Sequence, residues 1–357
     1  LADCQNERLD GAPQRFDLST GTVAVPPALQ SAWRRALIRA ADNTAFDYPA
    51  PAGLWELRLA LAGYLARRRG IRADAEQILI VTGIQQGIDL AARLLLNPGE
   101  SAIVEEPGYG GLRAALRAHG ARVCLAEVDN DGLPISSLHK YPAAKLLVIT
   151  PSHQFPTGAE LPLARRLAIL EWAQRAEAWV LEDDYDGEFR HGGRPLPALK
   201  SLDQGDRVIY LGSLSRVLFP AVRLGYLVLP PALCNPFVWA KRLADRGSPA
   251  SEQTALADLI ASGRFERLLL ASARQLDQRR LALIDAIRMH FAAAQFSGGS
   301  AGMHVCLRLG QFSASLEQTL VAAAARIGVR IEGTSRYRES AFADSSAVIQ
   351  APARRPL

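Results

Sequence analysis

Gly212-Ser213-Leu214-Ser215-Arg216-Val217-Leu218-Phe219-Pro220-Ala221-Val222-Arg223-Leu224-Gly225-Tyr226-Leu227-Val228-Leu229-Pro230 is the stretch on which the reading of the fold turns. The apolar run Val208-Ile209-Tyr210-Leu211 enters it and Leu224 to Leu229 leaves it, so it is a polar turn between two buried strands. The hydroxyls of Ser213 and Ser215 and the guanidinium of Arg223 can together hold a phosphate dianion.

Working outward, five more apolar, β-rich runs precede this pair: Ile78 to Val81, Ala102 to Val104, Val123 to Leu125, Leu146 to Ile149 and Trp179 to Leu181. Between them Gln85 to Leu96, Gly111 to His119 and Leu163 to Ala178 have helical period, as do Gln30 to Ala41 and Gly53 to Arg69 upstream. Strands alternating with helices predict an α/β fold, a mainly parallel seven-stranded sheet with helices on both faces. A smaller α+β lobe follows: a long helical stretch from Ser251 to Phe291, the strand Met303 to Leu309, a helix from Leu316 to Ile327 and short strands near Val329 and Val348. The expected large domain is 45–245, with 1–44 and 246–357 forming the small one.

In such a sheet the site lies at the carboxyl ends of the strands. Thr82-Gly83-Ile84-Gln85 opens a helix, where a glycine and free backbone N–H groups suit an anion, although many such starts are only caps. Glu105-Glu106-Pro107-Gly108-Tyr109 offers one aromatic ring for stacking on a flat heterocycle, or for packing. Thr150-Pro151-Ser152-His153-Gln154-Phe155-Pro156-Thr157-Gly158 is a polar loop. Glu182-Asp183-Asp184-Tyr185-Asp186 ends a buried strand in acid, which is costly unless a cation is present. A protonated pyridine nitrogen is such a cation, and a carboxylate beside it keeps the ring an electron sink. Each loop has a structural explanation singly; jointly they point to a phosphorylated pyridine cofactor.

Composition agrees with a globular chain: 357 residues, 49% hydrophobic, 22% charged. No run reaches the roughly 18 to 20 apolar residues of a membrane span, and Leu1 to Arg8 contains no apolar signal core, so a cytoplasmic location is expected. The first residue is not methionine, which suggests a start inside a longer chain. Net charge is +5, and of 41 basic residues only Lys140, Lys145, Lys200 and Lys241 are lysines. The arginines are dispersed, so they do not mark a nucleic-acid surface. Cys4, Cys124, Cys234 and Cys306 lack metal spacing and are expected to be mostly buried thiols, with no metal site.

The loops "TPSHQFPTG", "LEDDYDGEFR", "RPLPAL" and "LFPAVRLGYLVLP", in this order, resemble the aminotransferase domain of MocR-type regulators, GntR-family proteins that fuse a winged helix to a fold-type I aminotransferase dependent on pyridoxal 5'-phosphate. The resemblance runs from about Phe16 to Arg330. It implies a homodimer with a shared active site, in which a loop bearing Tyr48 reaches the partner, and a small-molecule amine or amino acid as the reacting partner. Residue by residue it implies Tyr109 as the ring-stacking aromatic, Asp183 as partner of the pyridine nitrogen, and Tyr185 as partner of the phenolic oxygen. Gly83, Ile84 and Gln85, with Ser213, Ser215 and Arg223, match the phosphate cup, and His153 stands in the loop that flanks the ring.

The departures are as informative. Where that family reads S-K-T-L-F-P, this chain reads Ser215-Arg216-Val217-Leu218-Phe219-Pro220, with arginine in place of the Schiff-base lysine. A guanidinium stays protonated with delocalised lone pairs, so Arg216 can neither form the imine nor serve readily as a base. The strand Ala347 to Gln350 lacks an arginine for a substrate carboxylate, leaving Arg330 and Arg336 as candidates, and the chain stops at Leu357 without the usual last helix. No winged helix is visible, so this chain alone is not expected to bind DNA. Three readings follow: a lysine-less domain binding the cofactor or its amine adduct non-covalently, an aminotransferase whose lysine was replaced artificially, and an effector-binding or dimerisation module of a regulator.

Overall fold

The computed structural model describes residues 15–21, 23, 25–44, 47–191, 197–298, 301–309, 314–339 and 347–350. Leu1 to Arg8, Cys4 included, and the first half of the "RPLPAL" motif therefore lie outside the described residues, as does the end of the chain. No described helix is long and apolar enough to cross a membrane.

Seven strands form the main sheet: β1 (Ile78–Val81), β2 (Ser101–Glu106), β3 (Arg122–Glu127), β4 (Ala144–Ile149), β5 (Trp179–Asp184), β6 (Val208–Ser213) and β7 (Gly225–Val228). Their order is β1-β7-β6-β5-β4-β2-β3, and only β7 runs against its neighbours. The unbroken apolar runs are explained by burial on both sides. In β1, Ile78 and Ile80 enter one hydrophobic cluster while Leu79 and Val81 enter another. Helix Trp55–Arg69 and helix Ala250–Ala261 cover the first face, and Ile84–Leu95, Gly110–Ala118 and Cys234–Asp245 cover the second. Leu57, Leu61 and Leu65 form the buried stripe of the first helix, but its last residue, Arg69, is also buried instead of lying among the solvent-facing arginines.

A second, antiparallel sheet of four strands contains Ala294–Ser297, His304–Leu309, Glu332–Gly333 and Ala347–Gln350. Phe16–Asp17 pairs in parallel with Val329–Arg330, which ties the N-terminal segment to this lobe. The helical stretch expected to run unbroken from Ser251 is two helices, Ala250–Ala261 and Arg264–His290. Gly263, at φ +66°, takes the left-handed conformation between them. A leucine- and arginine-rich period continues across the break, so composition alone does not show it. Helix Cys234–Asp245 and strand Ala294–Ser297 were not anticipated either. Cys124 and Cys306 are buried free thiols, as expected, and Cys234 is a half-buried one.

Candidate functional site

The carboxyl ends of β2, β4, β5 and β6 converge on a cavity of ≈ 130 Å³. Ile84, Tyr109, Asp183, Tyr185, Ser213 and Arg216 line it, six positions singled out in the sequence from four loops. Asp183 pairs with Leu211 of β6, one residue before the end of the ladder, which fixes the direction of its side chain. It is 7% exposed, and its Oδ1 has no hydrogen-bond partner. Burial first, then the neighbouring Asp184 and Asp186, push its carboxyl up to about 8, with Arg216 opposing them. An acid so placed is completed by a cationic or N–H donor entering the cavity.

Below Asp183 the charge is settled. Arg69 Nη2 lies 2.5 Å from Asp184 Oδ2, both side chains almost fully buried, and also donates to Ser152 Oγ at 2.7 Å. Tyr210 Oη donates to the same Asp184 oxygen at 2.6 Å. The acid-rich end of β5 thus holds one carboxyl that is paired and one that is not.

Gly83 and Arg223 lie together, and Ser213 reaches them through Gly225, its partner across the ladder. Gly83 has φ +110°, and a Cβ there would stand 3.3 Å from Arg223 Nη1, so glycine admits both the backbone turn and the guanidinium. Arg223 itself is held at φ +48° in the left-handed region, uncommon for a side-chain-bearing residue. Ser215 Oγ is buried without a partner. Gly83 caps the amino end of helix Ile84–Leu95, where free backbone N–H groups and the Arg223 guanidinium can attract an anion. Gln85 contributes differently from the others, by accepting a 3.1 Å hydrogen bond from Tyr109 Oη. Its amide nitrogen donates to Gly111 O, so it anchors the aromatic ring. Gly111 has no room for a Cβ, which would lie 2.5 Å from that phenol.

Tyr185 is oriented from behind. Its Oη lies 3.1 Å from His153 Nδ1, and that nitrogen lies 3.0 Å from Asp186 Oδ2. Since Asp186 Oδ2 also accepts from Met303 N at 3.2 Å, it is the acceptor that holds the imidazole. His304 packs at a tilt against His153, with centroids 4.6 Å apart and ring planes at 50°. Burial, and then His153, hold the His304 pKa well below the ordinary histidine value, so it is neutral. His153, Asp186 and His304 bring three ligand-type atoms within 4.8 Å of one another, a group of metal-binding composition that the scattered cysteines did not foretell. Here these side chains bond to one another and to Tyr185, Met303 and Pro156.

Residues 14–323 match the family "Aminotransferase class I and II". The chain belongs to that family. Among relatives of this aminotransferase-family chain, the probable rhizopine catabolism regulatory protein MocR of Rhizobium meliloti is 34% identical over 91% of the chain and 66% of its own length. The pyridoxine biosynthesis transcriptional regulator PdxR of Corynebacterium glutamicum is 32% identical over 94% and 72%. The chain thus spans about two-thirds of the length of the regulators it resembles. Kynurenine aminotransferase of Pyrococcus horikoshii superposes with a TM-score of 0.85 at 25% identity, over 94% of this chain and 86% of the other. LysN, an α-aminoadipate aminotransferase of Thermus thermophilus complexed with N-(5'-phosphopyridoxyl)-L-leucine, gives 0.82 at 26%, over 94% and 87%. The family has a fold-type I architecture, and this chain shares it.

Seven expected site residues, Gly83, Gln85, His153, Ser215, Arg223, Arg330 and Arg336, are not among those lining the cavity. Arg336 bonds Glu332 at 2.9 Å, and Arg330 lies on the short parallel pair opposite Asp17. Conversely, this aminotransferase-family pocket includes Glu105, Thr150 and Phe155, which had no assigned role. Glu105 Oε2 accepts from Thr150 N and Oγ1 at 3.0 and 2.6 Å, yet burial raises its carboxyl to about 7. A glutamate inside an otherwise apolar strand is the signal that marks it. None of the chain's four lysines lines the cavity.

Proposed function

We propose that this chain is an aminotransferase-fold domain that holds pyridoxal 5'-phosphate, or an amine adduct of it, without a covalent bond. The observation carrying the reading is the unsatisfied Asp183 Oδ1 acceptor in a cavity that Tyr109, Tyr185 and Ser213 also line. Next to this cavity in sequence, Ser215 Oγ is buried without a partner two residues after the lining Ser213, and Arg223, beside Gly83, has no side-chain partner among the described residues. These fit a cationic ring nitrogen and a phosphate. Tyr109 would stack on the ring and Tyr185 would bond its phenolic oxygen.

When bound, such a ring supplies an electron sink at its carbonyl carbon. This chain's residues bind and orient it: Asp183 holds the nitrogen's proton, Tyr185 fixes the ring's rotation through His153, and Phe155 with Tyr337 closes the outer side, their rings 4.9 Å apart. Arg216 stands where the family's Schiff-base lysine belongs, and it retains its proton. Ordinary transamination is therefore abolished or very slow.

The domain acts as a homodimer in the cytoplasm. Tyr48 is 76% exposed and Leu243 is 82% exposed, as residues awaiting a partner chain would be. A second reading, an effector-binding or dimerisation module within a regulator, is favoured by the kinship with MocR and PdxR. It is compatible with the first, because a ligand-holding pocket is what an effector domain needs.

Absorbance titration of the purified protein with pyridoxal phosphate and with pyridoxamine phosphate tests the proposal. Saturable binding of one ligand per chain, lost in Asp183→Asn, supports it. No binding of either would leave a scaffold module.

A further inference from the structure

Arg216 projects into the cavity as its one cationic side chain among the described residues. It also lines a smaller recess that continues from the cavity toward Thr20, His304 and Gln350. Its guanidinium makes no hydrogen bond or ion pair with any described residue. Asp183 feels its charge without pairing with it, and the Asp186 carboxylate in the recess is engaged by His153 and Met303 N. A methyl group on Gly21 would stand 3.7 Å from Arg216 Nη1, so the N-terminal segment approaches the fork closely.

A planar fork of five donors held at the junction of two cavities is matched by a carboxylate, which accepts two parallel hydrogen bonds. The other arginines expected to take that role are placed elsewhere: Arg336 bonds Glu332, and neither Arg330 nor Arg336 lines either cavity. We propose that Arg216 is a carboxylate-binding residue, and that the ligand of this pocket is the phosphopyridoxyl adduct of an α-amino acid, not of a simple amine. The inference rests on the reading of the pocket as a pyridoxal phosphate site and adds the class of the attached group. The substitution that removes covalent chemistry would then supply the contact that selects the ligand. The outer wall fits such a group: Thr20 Oγ1 bonds Glu332 and Tyr337, which leaves the Arg216 fork as the cationic partner facing the recess.

The test compares N-(5'-phosphopyridoxyl)-L-leucine with N-(5'-phosphopyridoxyl)-3-methylbutylamine, its counterpart lacking the carboxylate. Both are secondary amines, so neither can form an imine with any lysine. The unsubstituted protein should bind the leucine compound tighter by on the order of 10- to 100-fold, the range of a charge-assisted hydrogen-bonded pair. Arg216→Gln should bring the two affinities together, and Arg216→Lys should keep part of the preference. Equal affinities in the unsubstituted protein, or an undiminished preference in Arg216→Gln, would overturn the assignment while leaving the cofactor pocket standing. Failure of both compounds to bind would remove the pocket reading itself. Should Arg216→Gln not fold, the comparison in the unsubstituted protein still decides.

Discussion

Arg69 and Asp184 form an ion pair at 2.5 Å with side chains 2% and 1% exposed, one residue away from the unpaired Asp183. Helix Trp55–Arg69 delivers the guanidinium and β5 delivers the carboxylate, so the pair joins a covering helix to the sheet beneath the site.

Removing one partner of such a pair leaves a buried charge without compensation. Arg69→Met should lower the unfolding free energy by about 3 to 5 kcal/mol, read as a lower urea midpoint at constant slope. A loss below ~1 kcal/mol would show that Asp184 finds another partner.

Asp183 makes stability depend on pH. Its folded pKa of about 8 lies above the ordinary carboxyl value, so the folded state holds the proton more tightly. That contribution is fully present below the unfolded pKa of ~4 and is lost as pH rises through about 8. Glu105 and Glu182, both at about 7, act in the same direction. The melting temperature of the ligand-free protein should therefore fall across that range, and Asp183→Asn should make the fall shallower. An equally steep fall in the variant would mean that Asp183 titrates normally.

The anion cup separates affinity from stability. Because Ser215 Oγ is buried without a partner, Ser215→Ala should leave the melting temperature of the ligand-free protein unchanged or slightly raised. It should still weaken pyridoxal phosphate binding several-fold. Arg223→Ala should weaken it by about 10- to 100-fold, as loss of a charge-assisted contact does. Calorimetric titration and a thermal scan of each variant check the pattern. Destabilisation by Ser215→Ala would mean that the hydroxyl is satisfied within the fold.

Gly302 reports on the group behind Tyr185. A Cβ there would lie 2.1 Å from His153 Nδ1 and 2.5 Å from Asp186 Oδ2, at φ +76°. Gly99 has a similar φ, +88°, with nothing within 4 Å, so it isolates the backbone cost. Gly99→Ala should cost ~1 kcal/mol, and Gly302→Ala clearly more, with weaker ligand binding as Tyr185 turns. Equal costs would mean that His153 yields freely.

All seven main strands were legible because each contains a short apolar, β-rich run bounded by polar or turn residues, as in Ile78–Val81. Asp183, Tyr109 and Ser213 were legible as cavity-lining positions because each stands where an apolar run gives way to a polar loop. The helix break at Gly263 was not, since apolar and arginine residues continue through it in phase. His304 and Thr20 were hidden for a different reason. They reach the site from the small lobe and the N-terminal segment, and no local pattern records a contact made across the chain. Arg69 looked like one more solvent-facing arginine at a helix end, and only the sheet packed below it gives it a partner.

The central claim is a pyridoxal phosphate pocket without a covalent anchor. It is tested most directly by treating the protein saturated with pyridoxal phosphate with borohydride and recording its intact mass. Its mass should be unchanged after dialysis, while Arg216→Lys, treated alike, should gain one reduced phosphopyridoxyl group. A fixed adduct in the unsubstituted protein, mapped by peptide mass to a residue of the cavity, would contradict it.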